Sequence, residues 1–145
     1  MLSILLVIAQ FALLASLAAL ALVAHWSTWP LIAILAGVLL GLWALAVNPP
    51  GNFHVRPQPR ADARLITRGP YRRVRHPMYT AVLLVALGPA LGAPLPWSTT
   101  AWVAWLALAA VLFVKALVEE DRLARVEPDY AAYQRRTCAF VPWIL

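Results

Sequence analysis

The sequence predicts an all-α integral membrane bundle of four transmembrane helices, and three observations carry that reading. First, 63% of the 145 residues are hydrophobic and only 12% are charged, where a soluble domain carries about a quarter charged residues. Second, four long apolar stretches alternate with turns rich in Trp, Pro, Gly and Asn. Third, every Lys and Arg falls within 51–76, at Lys115 or after Val118. With four spans, those positions all lie on one side of the bilayer. The positive-inside rule then places both termini in the cytoplasm, with the chain in the inner membrane. A single domain over 1–145 is expected at this length.

The first span is predicted over 2–24, apolar except for Ser3, Gln10 and Ser16. Its run exceeds the roughly 7–15 residues of a signal core, so it is read as a membrane helix. His25-Trp26-Ser27-Thr28-Trp29 makes an interfacial turn with two belt tryptophans. Pro30 suits a first helical turn, and the second span runs from 30 to 47, where Asn48-Pro49-Pro50-Gly51-Asn52 stops it. A cytoplasmic loop covers 48–76. The third span, 77–92, opens on Pro77 with His76 near its cap. It fades into Gly88-Pro89, so it is expected to be short, tilted or broken against a hydrocarbon core of about 30 Å. The fourth span is predicted over 97–118. The tail, 119–145, first extends that helix and then restarts at Pro128 as a short amphipathic helix ending near Pro142.

The net charge of +6 is concentrated in 51–76, which holds seven arginines and one aspartate. Beside lipid, that charge points to topology and anionic headgroups, and no nucleic acid is expected. His54 lacks a His, Cys or Asp partner at metal-ligand spacing, so no metal is expected. Gly37 and Gly41 have the spacing of a helix-dimer contact; nothing else in the sequence speaks to oligomeric state.

Chemistry concentrates in two places. The stretch Leu65-Ile66-Thr67-Arg68-Gly69-Pro70-Tyr71-Arg72-Arg73-Val74-Arg75-His76-Pro77-Met78-Tyr79 brings four arginines, a histidine and two tyrosines to a helix mouth. A helix N-terminus carries partial positive charge and seats anions. The plain alternative is a basic topology signal with a capping histidine. Glu119-Glu120 closes the fourth span, with Lys115 four residues earlier. Alone, this is an ordinary solvated helix end with an i,i+4 ion pair. Together, the two features place an anion-binding mouth beside a carboxylate mouth. That combination suits a ligand with a carboxylate, a cation and a ribose diol, such as S-adenosyl-L-methionine.

The segment Leu65 to Tyr71, then Arg75-His76-Pro77-Met78-Tyr79, Glu119-Glu120 and Tyr130-Ala131-Ala132-Tyr133, resembles the isoprenylcysteine carboxyl methyltransferase family. It is similar, more loosely, to the related phospholipid methyltransferases. The resemblance covers about 51–142. It implies S-adenosyl-L-methionine-dependent methyl transfer to a lipid-like or prenylated acceptor at the cytoplasmic face. By that resemblance the cofactor is lined by Ala63, Arg64, Leu65, Ile66 and Tyr71. His76, Pro77, Met78, Tyr79, Glu119 and Glu120 complete its site. Lys115, Arg75, Trp102 and Trp105 are assigned to the substrate side. Lys115 stands where the family has arginine, which removes the bidentate fork for an acceptor carboxylate. No catalytic base is assigned. Tyr130 and Tyr133 are expected to order a lid over the cofactor. The competing reading is a non-catalytic membrane carrier or assembly subunit whose basic loop binds anionic lipid.

Overall fold

The computed structural model describes residues 1–48 and 65–141. Ala63, Arg64, His54 and the expected helix end at Pro142 lie outside them. The described residues form helices α1 (Leu2–Ala21), α2 (Thr28–Val47), α3 (Pro77–Gly92), α4 (Ser98–Val126) and α5 (Tyr130–Arg135). Among them, α1, α2 and α4 are long and apolar enough to cross a membrane, and α3 is a shorter apolar helix. This is an integral membrane protein. At 1.5 Å per residue, the 20 residues of α1 and of α2 each span about 30 Å. The 29 residues of α4 reach about 43 Å, so one end of α4 projects well beyond a hydrocarbon core.

Helix α2 begins at Thr28, two residues before the expected start, and holds Pro30 in its first turn. Helix α3 is not broken at Pro89. It continues to Gly92 with the proline inside it, because proline costs one donor and packing on neighbouring helices compensates. Its C-terminal end is closed by the turn after α1, where the His25 N–H donates to the Gly92 carbonyl at 2.7 Å.

Small residues set how the helices meet. A Cβ on Gly37 would lie 2.7 Å from both the Ala81 carbonyl oxygen and the Val85 nitrogen of α3. The Gly37 face of α2 is therefore spent on close contact with α3 inside one chain. The central core gathers Leu17 of α1, Ala86 of α3, and Ala104, Leu108, Leu112 and Ala116 of α4, with Phe140 from the C-terminal segment.

The chain before α3 folds as a 3-10 turn over Gly69–Arg72. Gly69 has φ +60°, a left-handed backbone that favours glycine, and a Cβ there would press on Val47. The next residues pair with the C-terminal segment in a parallel bridge between Val74 and Cys138. Cys138 N–H donates to the Arg73 carbonyl at 2.9 Å, while the Arg75 and His76 N–H groups donate to Cys138 and Ala139 carbonyls at 2.8 and 3.0 Å. This backbone ladder ties the segment before α3 to the segment after α5.

Candidate active site between the start of α3 and the end of α4

Proline at the first position of α3 fixes where the helix begins and projects His76 as its N-cap. Tyr79 and Thr80 N–H groups both donate to the His76 carbonyl, at 3.0 and 3.1 Å. His76 and Tyr79 stack with ring centroids 5.4 Å apart, and Phe140 lies against both. The Thr80 hydroxyl donates to the Phe140 carbonyl at 2.8 Å. The C-terminal segment therefore covers one side of the α3 mouth.

Against this mouth α4 presents its two glutamates. His76 lies between them, with Nε2 3.0 Å from Glu120 Oε1 and Nδ1 3.6 Å from Glu119 Oε2. The imidazole nitrogens point in opposite directions, so the two carboxylates sit on opposite edges of the ring.

The two acids do different things. Glu120 is saturated: it accepts from Arg75 Nε at 2.7 Å, from the second Arg75 nitrogen at 3.4 Å, and from Gln134 Nε2 at 2.9 Å. Arg75 also donates to the backbone carbonyls of Gln134 and Thr137. One guanidinium thus joins α3, α4 and the C-terminal segment. Glu119 accepts from the Tyr79 hydroxyl, and its side chain keeps 21% exposure against 9% for Glu120. An ionised carboxylate has about four acceptor sites, so Glu119 retains capacity that Glu120 has used.

Tyr71 faces the Glu119 charge, and two further elements reach Tyr71. The Asn48 side chain, at the end of α2, hydrogen-bonds Tyr71. Burial pushes the Tyr71 phenol above its ordinary value, with the Asn48 bond opposing and the Glu119 charge reinforcing the rise. Tyr133 of α5 donates to the Tyr71 carbonyl at 2.6 Å, and burial pushes its phenol up to about 12. Both tyrosines are therefore hydrogen-bond donors at physiological pH. Lys115, 2% exposed, donates to Gln10 of α1 at 2.7 Å and lies over the Tyr79 ring at 5.2 Å.

Of the residues singled out from sequence, Tyr71, His76, Tyr79, Glu119, Glu120, Arg75 and Lys115 come together here. Pro77 is buried behind His76, and Leu65, Ile66 and Met78 are half-buried. Trp102 and Trp105 pack edge to face on α4, and the Trp105 indole N–H donates to the Leu83 carbonyl at 2.9 Å. Sequence reasoning missed Asn48, taken as a helix stop, and Gln134. Gln10 carried a signal, being one of three polar residues in an apolar span.

Comparison with known proteins bears on what this arrangement is for. The family model described as phospholipid methyltransferase matches residues 31–126, which is α2 through α4 with both glutamates. The chain belongs to the phospholipid methyltransferase family. Within curated proteins it is 46% identical over 85 residues to the cobalt-zinc-cadmium resistance protein CzcN of Cupriavidus metallidurans. It is 40% identical over 85 residues to the nickel-cobalt-cadmium resistance protein NccN of Alcaligenes xylosoxydans xylosoxydans. Each alignment covers 57% of this chain and 38% of the relative. No solved structure matches the chain significantly. Membership of this methyltransferase family agrees with the resemblance carried by the His-Pro-x-Tyr and Glu-Glu motifs.

Proposed function

We propose that this protein catalyses S-adenosyl-L-methionine-dependent methyl transfer to a lipid-like or prenylated small-molecule acceptor at the cytoplasmic face of the inner membrane. The observation that carries the reading is Glu119: an incompletely occupied carboxylate at a membrane boundary, oriented by Tyr79 and flanked by His76. Ionisable residues there are costly and mark functional sites.

The residues fit the cofactor chemically. A ligand with a sulfonium, an ammonium and ribose hydroxyls needs acceptors, which Glu119 supplies. Its carboxylate needs donors, and the Tyr71 hydroxyl stands nearby. In this reading Leu65, Ile66, Tyr71, His76, Pro77, Met78, Tyr79 and Glu119 hold the cofactor, with Ala63 and Arg64 completing its lining. When bound, the cofactor supplies an electrophilic methyl on sulfur; the acceptor's lone pair forms the new bond and the old bonding pair stays on sulfur. The protein's task is then orientation and exclusion of water. Glu120 acts at one remove by fixing His76 and, through Arg75, the C-terminal segment that shields this side.

The relatives' names connect proteins of this type with resistance to metals. We place any such role for this chain downstream of methyl transfer.

Calorimetric titration of the detergent-solubilised protein with S-adenosylhomocysteine tests the reading. Saturable binding, weakened about 10–100-fold in Glu119→Gln and also weakened in His76→Ala, is expected. Absence of binding by the unaltered protein favours the non-catalytic carrier. Binding undiminished by either substitution refutes this placement of the site.

A further inference from the structure

The ladder between the segment before α3 and the segment after α5 gathers charge from two distant parts of the chain. Tyr133 donates its hydroxyl to the Tyr71 carbonyl, 62 positions earlier, at 2.6 Å. The Arg136 guanidinium lies over the same Tyr133 ring, 5.9 Å from its centroid. Arg72 follows Tyr71 directly and Arg135 precedes Arg136, so one tyrosine joins the basic residues of both segments. Arg68 stands just before the 3-10 turn, its guanidinium 3.5 Å from the Val47 carbonyl at the end of α2.

All four arginines are exposed. Among the described residues none of them forms an ion pair, whereas Glu120 is engaged by Arg75 and Asp121 by Arg125. Asp129 lies at the start of α5, the opposite end from Arg135 and Arg136. A tryptophan marks the depth of this charge. Trp43 of α2 is 55% exposed, and its indole nitrogen lies 3.4 Å from where a Cβ on Gly69 would stand. Tryptophan settles at the headgroup level of a bilayer, so the turn between Arg68 and Arg72 lies at that level too. Cations there meet lipid phosphates. A guanidinium forks onto phosphate oxygens, and a net-anionic head adds a Coulombic attraction that a choline head cancels with its own ammonium.

We propose that Arg68, Arg72, Arg135 and Arg136 form a docking rim for anionic phospholipid headgroups in the leaflet that adjoins the end of α2. The ligand class is a glycerophospholipid whose head carries net negative charge, with phosphatidylglycerol as the simplest case. Half of the rim comes from the C-terminal segment, so the binding surface exists only when that segment is docked beside Tyr71. No residue of the rim belongs to the candidate active site, and the binding does not depend on methyl transfer.

The detergent-solubilised full chain is incubated with phosphatidylglycerol or phosphatidylcholine, and lipid retention is titrated by native mass spectrometry. Tighter retention of phosphatidylglycerol is expected, falling as ammonium acetate is raised. Arg72→Gln and the double variant Arg135→Gln, Arg136→Gln should each weaken it about fivefold per charge removed. Arg125→Gln is the control: it removes an equal charge, but one that Asp121 already neutralises, and it should leave the preference unchanged. Equal retention of the two lipids by the unaltered protein overturns the proposal, as does a preference insensitive to salt. A loss in Arg125→Gln as large as in Arg72→Gln also overturns it, because net charge alone would then account for the binding. Displacement of the lipid by inorganic phosphate at constant ionic strength would assign the rim to a soluble anion instead and overturn the lipid as its occupant. Should a variant fail to fold, the lipid preference and salt response of the unaltered protein still decide.

Discussion

Adjacent glutamates at the end of α4 should separate cleanly by substitution. Glu120→Gln keeps the shape but removes a charge engaged by Arg75, His76 and Gln134. Arg75 and Glu120 side chains are 12% and 9% exposed, so solvent screens the pair little. Removing one partner from a buried pair costs about 3–5 kcal/mol. Arg75 keeps its two carbonyl acceptors, which places the cost near the lower figure, about 3 kcal/mol. For a chain of this size, that lowers the melting temperature by about 10 °C. Glu119→Gln behaves otherwise. An amide oxygen still accepts from Tyr79, so stability changes by less than about 1 kcal/mol. What is lost is the charge offered to a ligand. Hydrogen bonds to a charged group contribute about 1.5–3 kcal/mol, so S-adenosylhomocysteine affinity should fall about 10–100-fold. Thermal unfolding in detergent and calorimetric titration of the same preparations read the two effects. Equal destabilisation by both substitutions, or ligand binding unaffected by Glu119→Gln, would refute the division of roles.

Other substitutions test the scaffold. Gly37→Ala should cost about 1–3 kcal/mol through collision with the α3 backbone. Gly41→Ala, whose Cβ would stand 3.5 Å from the Ala81 Cβ, should be neutral or stabilising by up to about 1 kcal/mol; matching melting shifts would contradict the packing account. Tyr133→Phe removes the bond to the Tyr71 carbonyl and should cost about 1 kcal/mol. Tyr130→Phe should cost nothing, because that buried hydroxyl has no hydrogen-bond partner among the described residues. The Tyr133 phenol, held up to about 12 when folded against an ordinary 10, favours the folded state fully below pH 10. That contribution disappears as pH rises from 10 through 12, since the unfolded phenol ionises first. A flatter alkaline limb in Tyr133→Phe checks this.

Much of this architecture is written locally. Apolar run lengths, Pro77 at a helix start and the one-sided arginines announce the helices and their order. The meeting of His76 with Glu119 and Glu120 follows once the start of α3 and the end of α4 share a side. Other features depend on partners distant in the chain. The Val74–Cys138 bridge joins segments that carry no strand pattern, so no periodicity reveals it. Glu119 and Glu120 are identical in type; only the approach of Arg75 and Gln134 from elsewhere distinguishes them. The Gly37-x-x-x-Gly41 spacing serves contacts within a chain or between chains equally well, and the closeness of α3 decides which. Pro89 leaves short, tilted and broken forms of the third span open because the sequence does not show the neighbours that support the helix across it. Gln10 is legible as an anomaly, but its partner Lys115 lies 105 residues away.

Incubation of membranes containing the protein with methyl-labelled S-adenosyl-L-methionine, followed by extraction of the lipid fraction, tests methyl transfer most directly. Label should appear in an organic-soluble product with the unaltered protein and vanish with Glu119→Gln, while both proteins remain folded. Label transfer undiminished by Glu119→Gln, or none above protein-free membranes with the unaltered chain, would contradict the account.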